Sequence, residues 1–350
     1  MSSIRIQLVN ESMVPALQEY LHNEAESSVF HRLEWHRVIQ KTYGHEYNYW
    51  VAYAGQDIIG VMPAVSVRFP FLGIKMLAMP YQFHSGLPLA DNESAKVALL
   101  ERTIKHARQI RAQYLELRHF CPVPILEDMG FTLVDSQLAV TSIPLHALDE
   151  KRIRRNHRRN IRYAREKGVS VSECNSLDEL RIFRRLYLAE GRDLGAPQAG
   201  WNFFENLHRF ANSYYRLYLA WMDGRCIGGL LVLDDGKTVF ARYAAYSTPE
   251  ALALHVSNVL YWEAMSTAAQ RGCRSYNCGI SWQGDSGLIH WKDGWSGTTR
   301  PAYVYVLPLR SEAPQAGAYF EGFHLAKAIW RKLPMPVVDL AGRIVTRWIC

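Results

Sequence analysis

Nine arginines and lysines stand within residues 151–167 against a single acid, Glu166. The whole chain carries a formal charge of +7, so this one stretch holds the excess and the remainder is nearly neutral. At helical spacing Arg154, Arg158, Arg162 and Arg165 line one face, and Arg155, Arg159 and Arg162 form an adjoining row. Guanidinium forks grip phosphate oxygens in pairs, so the chemistry this run offers is contact with a diphosphate, an RNA backbone or a lipid head group. A merely solvated face is the plainer reading, but so many like charges repel one another, which favours an anionic partner. A second cluster, His290-Trp291-Lys292-Asp293-Gly294-Trp295, puts an imidazole, an ammonium and a carboxylate within four residues, after the run CRSYNCGIS and the polar loop WQGDSG. The plainer reading there is that the tryptophans cover a core edge and Lys292 is solvated. No GxSxG, GxxxxGK[ST], HExxH or GxGxxG occurs, so hydrolase-triad, P-loop, zinc-protease and dinucleotide readings have no support.

The elements that must position these groups are written twice. Residues 49–67 (YWVAYAGQDIIGVMPAVSV) and 217–235 (LYLAWMDGRCIGGLLVLDD) each read as an apolar run, a Gly turn, an Ile-Gly and a second apolar run, which is a hairpin pattern. Each is followed by a helix-like segment and a strand: residues 94–113 lead into YLELR, and residues 256–272 into CRSYNCG. Each half also opens alike, with a short strand and two helical stretches; in the second half Ser176 and Glu179 have capping-box spacing. Two halves in the same order argue for a duplicated α/β unit. We therefore expect an α/β (α+β) chain of tandem GNAT-like domains, since strand, two helices, three strands, helix, strand is the GNAT order. Each would hold a mixed, mostly antiparallel sheet flanked by helices, with a C-terminal helical tail. The expected domains are 1–148 and 149–310, and the tail is 311–350.

RRNHRRNIRYAREKGVSV, DLGAPQAGWNFF, ALALHVSNVLYWEAMSTAAQRGC and the stretch ending HWKDGW occur here in the order seen in FemAB-related proteins, which the chain resembles over nearly its whole length. The tail IWRKLPMPVVDLAGRIVTR is similar to that of FemAB-like proteins found with exopolysaccharide and exosortase systems. The resemblance implies an N-acyltransferase that moves an acyl or aminoacyl group to an amine of a cell-envelope or exopolysaccharide precursor. It further implies no permanently bound cofactor and a donor co-substrate that is aminoacyl-tRNA or acyl-CoA. The family carries an aromatic-plus-lysine pair beside the acyl-transfer centre, which Trp291 and Lys292 match. Amide formation passes through a tetrahedral oxyanion, which a fixed cation in a dry site stabilises. His290 and Asp293 beside that pair are the nominal acid–base groups. Arg242 and Tyr243 fall on the strand that faces the substrate cleft of a GNAT domain, and His255 and Asn258 begin the helix that meets the donor. Tyr81 and His84, with Ser85, lie in a Gly/Pro-rich loop whose family counterpart faces the interdomain cleft, which makes them candidate substrate contacts. Two features depart from the relatives. There is no long coiled-coil arm, and the junction YSTPEALALHVSNVLYW lacks the Gly-rich turn that approaches the CoA pyrophosphate.

Composition narrows the rest. Six cysteines without a CxxC pair indicate neither a zinc site nor a disulfide framework, and no metal is expected. The N-terminus lacks a signal-peptide pattern and no apolar run reaches membrane-spanning length, which points to the cytoplasm. The expected partners are a phosphorylated or lipid-linked acceptor and tRNA, and no DNA. Residues 334–350 are a candidate peripheral contact with the inner face of the membrane, because Val337, Leu340, Ile344 and Trp348 recur at three- and four-residue steps among bases. Against this stands a tail that packs back and buries the same face. Two further readings remain open: an acyl-CoA-dependent N-acetyltransferase on a small amine, and a non-catalytic tandem GNAT module that binds RNA or membrane.

Overall fold

Both echoed hairpins are present in the computed structural model, which describes residues 3–70, 73–79, 81, 85–247, 249–310 and 324–348. The chain divides into two units. Unit 1 comprises Met1–Leu138, Pro301–Tyr319 and Trp348–Cys350; unit 2 comprises Ala139–Arg300 and Phe320–Arg347.

Unit 1 begins with β1 (Ile4–Leu8), α1 (Val14–Asn23) and α2 (Leu33–Tyr43), then β2 (Glu46–Ala54), β3 (Asp57–Phe69), β4 (Gly73–Ala78) and the short β5 (Leu89–Ala90). There follow α3 (Glu93–Gln109), β6 (Tyr114–His119), α4 (Pro124–Asp128) and β7 (Thr132–Pro144), the last of which runs on into unit 2. Unit 2 continues with α5 (Arg155–Glu166), β8 (Ser170–Cys174), α6 (Leu177–Leu194), α7 (Trp201–Ala211), β9 (Tyr215–Met222), β10 (Arg225–Asp234) and β11 (Thr238–Tyr246). Then come α8 (Glu250–Ala253), α9 (Val256–Gln270), β12 (Ser275–Trp282) and α10 (Ser286–Asp293). Strand β13 (Thr298–Pro308) passes into unit 1, and α11 (His324–Trp330) and α12 (Met335–Val345) return to unit 2. The sheet order is β1-β2-β3-β4-β6-β13 in unit 1, with β5 also on β3, and β7-β12-β11-β10-β9-β8 in unit 2.

The same physics shapes both hairpins. Gly55 closes one turn at φ +63°, and Asp223 and Gly224 close the other at +49° and +73°, the positive angles a tight hairpin requires. Each hairpin then bulges at its Ile-Gly pair. Gly60 faces Ala52 and Ile58 faces Tyr53, leaving Ile59 extra; Gly228 faces Ala220 and Cys226 faces Trp221, leaving Ile227 extra. The glycine after each bulge lies where a helix crosses the sheet. A Cβ on Gly60 would stand 3.0 Å from Leu99 Cδ1 of α3, and one on Gly228 would stand 2.7 Å from Val256 Cγ1 of α9. Equivalent helices thus pack on equivalent glycines. In each unit the helix leads to a strand that returns parallel: β6 beside β4, and β12 beside β11. Ser176 and Glu179 form the capping box at the start of α6 that their spacing predicts. The described cysteines are all free thiols. Among the described residues no helix is long and apolar enough to cross a membrane.

Candidate active site

The parallel ladder of β11 and β12 runs for three rungs, Thr238–Phe240 against Ser275–Asn277. Just past it both strands change course. Leu231 faces Tyr243 while Val232 faces Ala241, so Arg242 is the extra residue of a bulge. On β12, Gly279 adopts φ +72° and its N–H donates to Asn277 Oδ1 at 2.8 Å. Carbonyls beyond the ladder still need donors, because a buried unpaired carbonyl costs as much as a lost hydrogen bond. Lys292 supplies them: its Nζ donates to Gly279 O and Ile280 O, each at 3.0 Å. In unit 1 the carbonyl at the matching place, Arg118 O, is taken by the main-chain N–H of Gly86 at 2.7 Å. One unit therefore satisfies this end of its parallel pair with backbone and the other with a buried cation.

Helix α10 positions that cation. Asp285 caps it, its Oδ1 accepting from Leu288 N at 3.0 Å, and Lys292 faces inward while His290 stays exposed. Burial holds the Lys292 amine below its ordinary pKa, opposed by the Asp285 carboxylate. Burial also pushes the Cys278 thiol up to about 12, so it stays protonated. Trp291 packs edge-on against Tyr261 and Trp295, and Asp293 Oδ1 accepts from Thr299 Oγ1.

Helix α5 carries the basic run because its other side is buried: His157, Ile161 and Ala164 face inward at steps of four and three, continuing the register of the buried Ile153 just before the helix. His157 ties three elements together. Its Nε2 donates to Trp291 O at 2.8 Å, its Nδ1 accepts from the Asn258 amide at 2.8 Å, and its ring stacks on Trp295 at 4.2 Å. Acceptance at Nδ1 requires the neutral ring, and burial keeps its pKa low. Asn258 Oδ1 accepts in turn from Asn160, at 3.4 Å, so the Asn258 side chain is committed on both sides. A Cβ on Gly294 would lie 2.3 Å from His157 Nε2, which restricts that position to glycine. Arg154 is anchored through Nη1 on His290 O at 2.6 Å, Arg158 reaches Lys151 O at 3.2 Å, and Arg165 pairs with Glu263 at 2.6 Å. Arg155, Arg159 and Arg162 are exposed and form no ion pair among the described residues. Arg159 lowers the pKa of His255, the N-cap of α9, after the larger effect of burial.

On β11 the Arg242 guanidinium lies 4.3 Å over the Tyr243 ring, and its buried Nε has no partner among the described residues. Tyr243 packs against Tyr187 of α6 at 4.8 Å and against Phe203 and Phe204 of α7. One turn on from Tyr187, Glu190 accepts from the main chain of Tyr246. Burial pushes its carboxyl up to about 7. Glu190 and His157 are site residues the sequence reading passed over. Nothing in LYLAEGRDL marks Glu190 apart from a surface acid, whereas the 153, 157, 161, 164 spacing could have revealed His157.

The structure thus brings His290, Trp291, Lys292 and Asp293 together with Arg154 and Asn258, and sets Arg242 and Tyr243 on the bulged strand. Tyr81 belongs to unit 1, where at φ +66° its hydroxyl meets His45 Nε2 at 2.5 Å and its ring stacks on Tyr43. His84 lies outside the described residues, and Ser85 Oγ meets His119 Nδ1 at 2.9 Å.

Residues 151–293 match the family described as an acetyltransferase (GNAT) domain. No curated protein matches the sequence. Among solved structures the fold is similar to FemX, with a TM-score of 0.69 and 14% identity over 87% of this chain and 98% of that one. It is also similar to the C-terminal domain of a putative lysylphosphatidylglycerol synthetase from Agrobacterium fabrum, with a TM-score of 0.58 and 13% identity over 92% and 96% of the two chains. A tandem GNAT protein from the clavulanic acid biosynthesis pathway gives 0.58 and 11% over 89% and 100%. At such identities the likeness shows the tandem fold, while the family match covers the segment that holds the parted ladder, the basic helix and Lys292. Residues 151–293 therefore form a GNAT-superfamily acetyltransferase domain, and the chain is an acyltransferase.

Proposed function

We propose that the chain transfers an acyl or aminoacyl group to an amine on a phosphorylated cell-envelope or exopolysaccharide precursor. The observation that carries this reading is the exposed row Arg155, Arg159 and Arg162, unpaired among the described residues, on the helix that His157 and Asn258 fix to the start of α9. An N-acyltransferase needs only a neutral amine, an activated acyl donor and stabilisation of the oxyanion between them. An arginine row of this kind adds affinity for phosphate, so it selects the acceptor or the donor by its anionic part.

The donor has two candidates. A GNAT domain draws on acyl-CoA, and the parting of β11 from β12 is compatible with a thioester arm. The junction before α9 has no glycine: His255 itself takes the left-handed conformation there, at φ +52°. That departure, with the likeness in fold to FemX and to the C-terminal domain of a putative lysylphosphatidylglycerol synthetase, favours aminoacyl-tRNA as the alternative donor. In this reading Lys292 and Trp291 border the reacting carbonyl, Arg242 and Tyr243 line the acceptor side, and Glu190 joins His290 and Asp293 as a group able to take the amine proton. Binding of a phosphorylated amine acceptor, and of each donor, to wild type and to the Arg155→Ala, Arg159→Ala pair tests the reading. Unchanged affinity for every anionic ligand at low ionic strength makes the row a solvated face.

A further inference from the structure

The tail does pack back on unit 2, but through a different face from the one its apolar spacing predicts. In α12 Val338 and Gly342 are buried, with Thr346 just beyond, at four-residue steps. Gly342 abuts Gln198 O, and Gly195 and Gly200 leave room for Lys327 and Arg343; a Cβ on either would come within 2.9 Å. Arg184 of α6, almost fully buried, pairs with Asp339 at 2.5 Å and holds the helix in place. What this docking leaves outward is apolar. Val337, Leu340 and Ile344 are 45%, 62% and 50% exposed, and Ile329 of α11 is 54% exposed. Trp348 does not join that face, since its indole donates to Arg68 O at 3.2 Å within unit 1.

A docked helix that hides its small residues and presents Leu and Ile to solvent is arranged for a partner. The charge names which one. Residues 324–347 hold Lys327, Arg331, Lys332, Arg343 and Arg347 against one acid, Asp339, and that acid is already paired. A second copy of the segment would set these bases against their like, whereas an anionic lipid surface meets both the bases and the apolar side chains. We infer that the outer face of α12 and the end of α11 seat this protein on an anionic lipid surface. Leu340 and Ile344 enter the head-group boundary, and Arg331 and Lys332 lie among the lipid phosphates. The docked helix spends no folding energy on binding, because its conformation is already fixed by Val338, Gly342 and the Arg184–Asp339 pair. The inference does not depend on the acceptor proposed above, since a transferase acting on a soluble acceptor would bind vesicles equally well.

The test is co-sedimentation of the full chain with phosphatidylcholine vesicles, with and without phosphatidylglycerol. The wild type is expected to pellet with the phosphatidylglycerol vesicles and to be released by salt. Leu340→Ser with Ile344→Ser, both at exposed positions, should lower partitioning about tenfold with an unchanged melting temperature. Arg331→Glu with Lys332→Glu should do the same through charge. Wild type that stays in the supernatant, or a serine pair that pellets as well as wild type, overturns the inference. So does a concentration-dependent dimer, without vesicle binding, that the serine pair dissolves.

Discussion

Lys292 is the residue on which the site's geometry turns. A buried ammonium is tolerated because two carbonyls, freed where β12 leaves β11, accept from it. Lys292→Ala should therefore act twice. It leaves two carbonyls without donors, roughly 1–3 kcal/mol each if both stay dry. It also removes the cation nearest the reacting centre in the proposed mechanism, which should slow turnover on the order of 10²-fold. Calorimetry and steady-state kinetics on the same variant separate the two effects, and a lower melting temperature with unaltered turnover would make Lys292 a structural clasp alone. Glu190 gives a pH signature. Its carboxyl lies at about 7 in the folded chain against 4.5 when unperturbed, so the native state holds the proton more tightly than the unfolded state does. Its contribution therefore favours folding at low pH and is lost as pH rises from about 4.5 through about 7. Melting temperature measured across that window should fall less steeply in Glu190→Gln than in wild type, and parallel slopes would contradict the assignment.

At the scale of elements, α5 shows why a charge run can be stable. Its inner face of His157, Ile161 and Ala164 is buried, Arg154 and Arg158 are absorbed by carbonyls, and Arg165 is paired. What remains for a ligand is Arg155, Arg159 and Arg162. Replacing Arg155 and Arg159 with alanine should weaken binding of a phosphorylated acceptor about tenfold or more and flatten its salt dependence, as titration at two ionic strengths would show. Much of this was legible in the sequence. The hairpins follow from Gly55 and Gly224 in their turns and from the repeated Ile-Gly. The basic row follows from three- and four-residue spacing. Three features were not legible. The spacing of Val337, Leu340 and Ile344 marks an amphipathic helix but not which side it buries, because Val338 and Gly342 with the Arg184–Asp339 pair decide that. Burial of Glu190 depends on α6 lying over β11, which no local pattern encodes. Nor does the apolar alternation of β13 tell that the strand pairs with β6.

For the molecule as a whole, duplication has left two units of one plan with different ends to their parallel pairs. Unit 1 closes the β6 carbonyl with its own Gly86, and unit 2 leaves that task to Lys292 between a basic helix and a bulged strand. This asymmetry is the reason the proposal assigns the chemistry to unit 2. The most direct measurement is a transfer assay read by mass spectrometry, with purified full chain, an acyl-CoA or aminoacyl-tRNA donor, and phosphorylated amine acceptors fractionated from cell extract. The account predicts that an amine-bearing, phosphorylated acceptor gains one acyl or aminoacyl mass, at a rate that Lys292→Ala lowers and that the Arg155, Arg159 pair lowers further at limiting acceptor. No mass gain with either donor, or equal modification of acceptors that carry no phosphate, would contradict it.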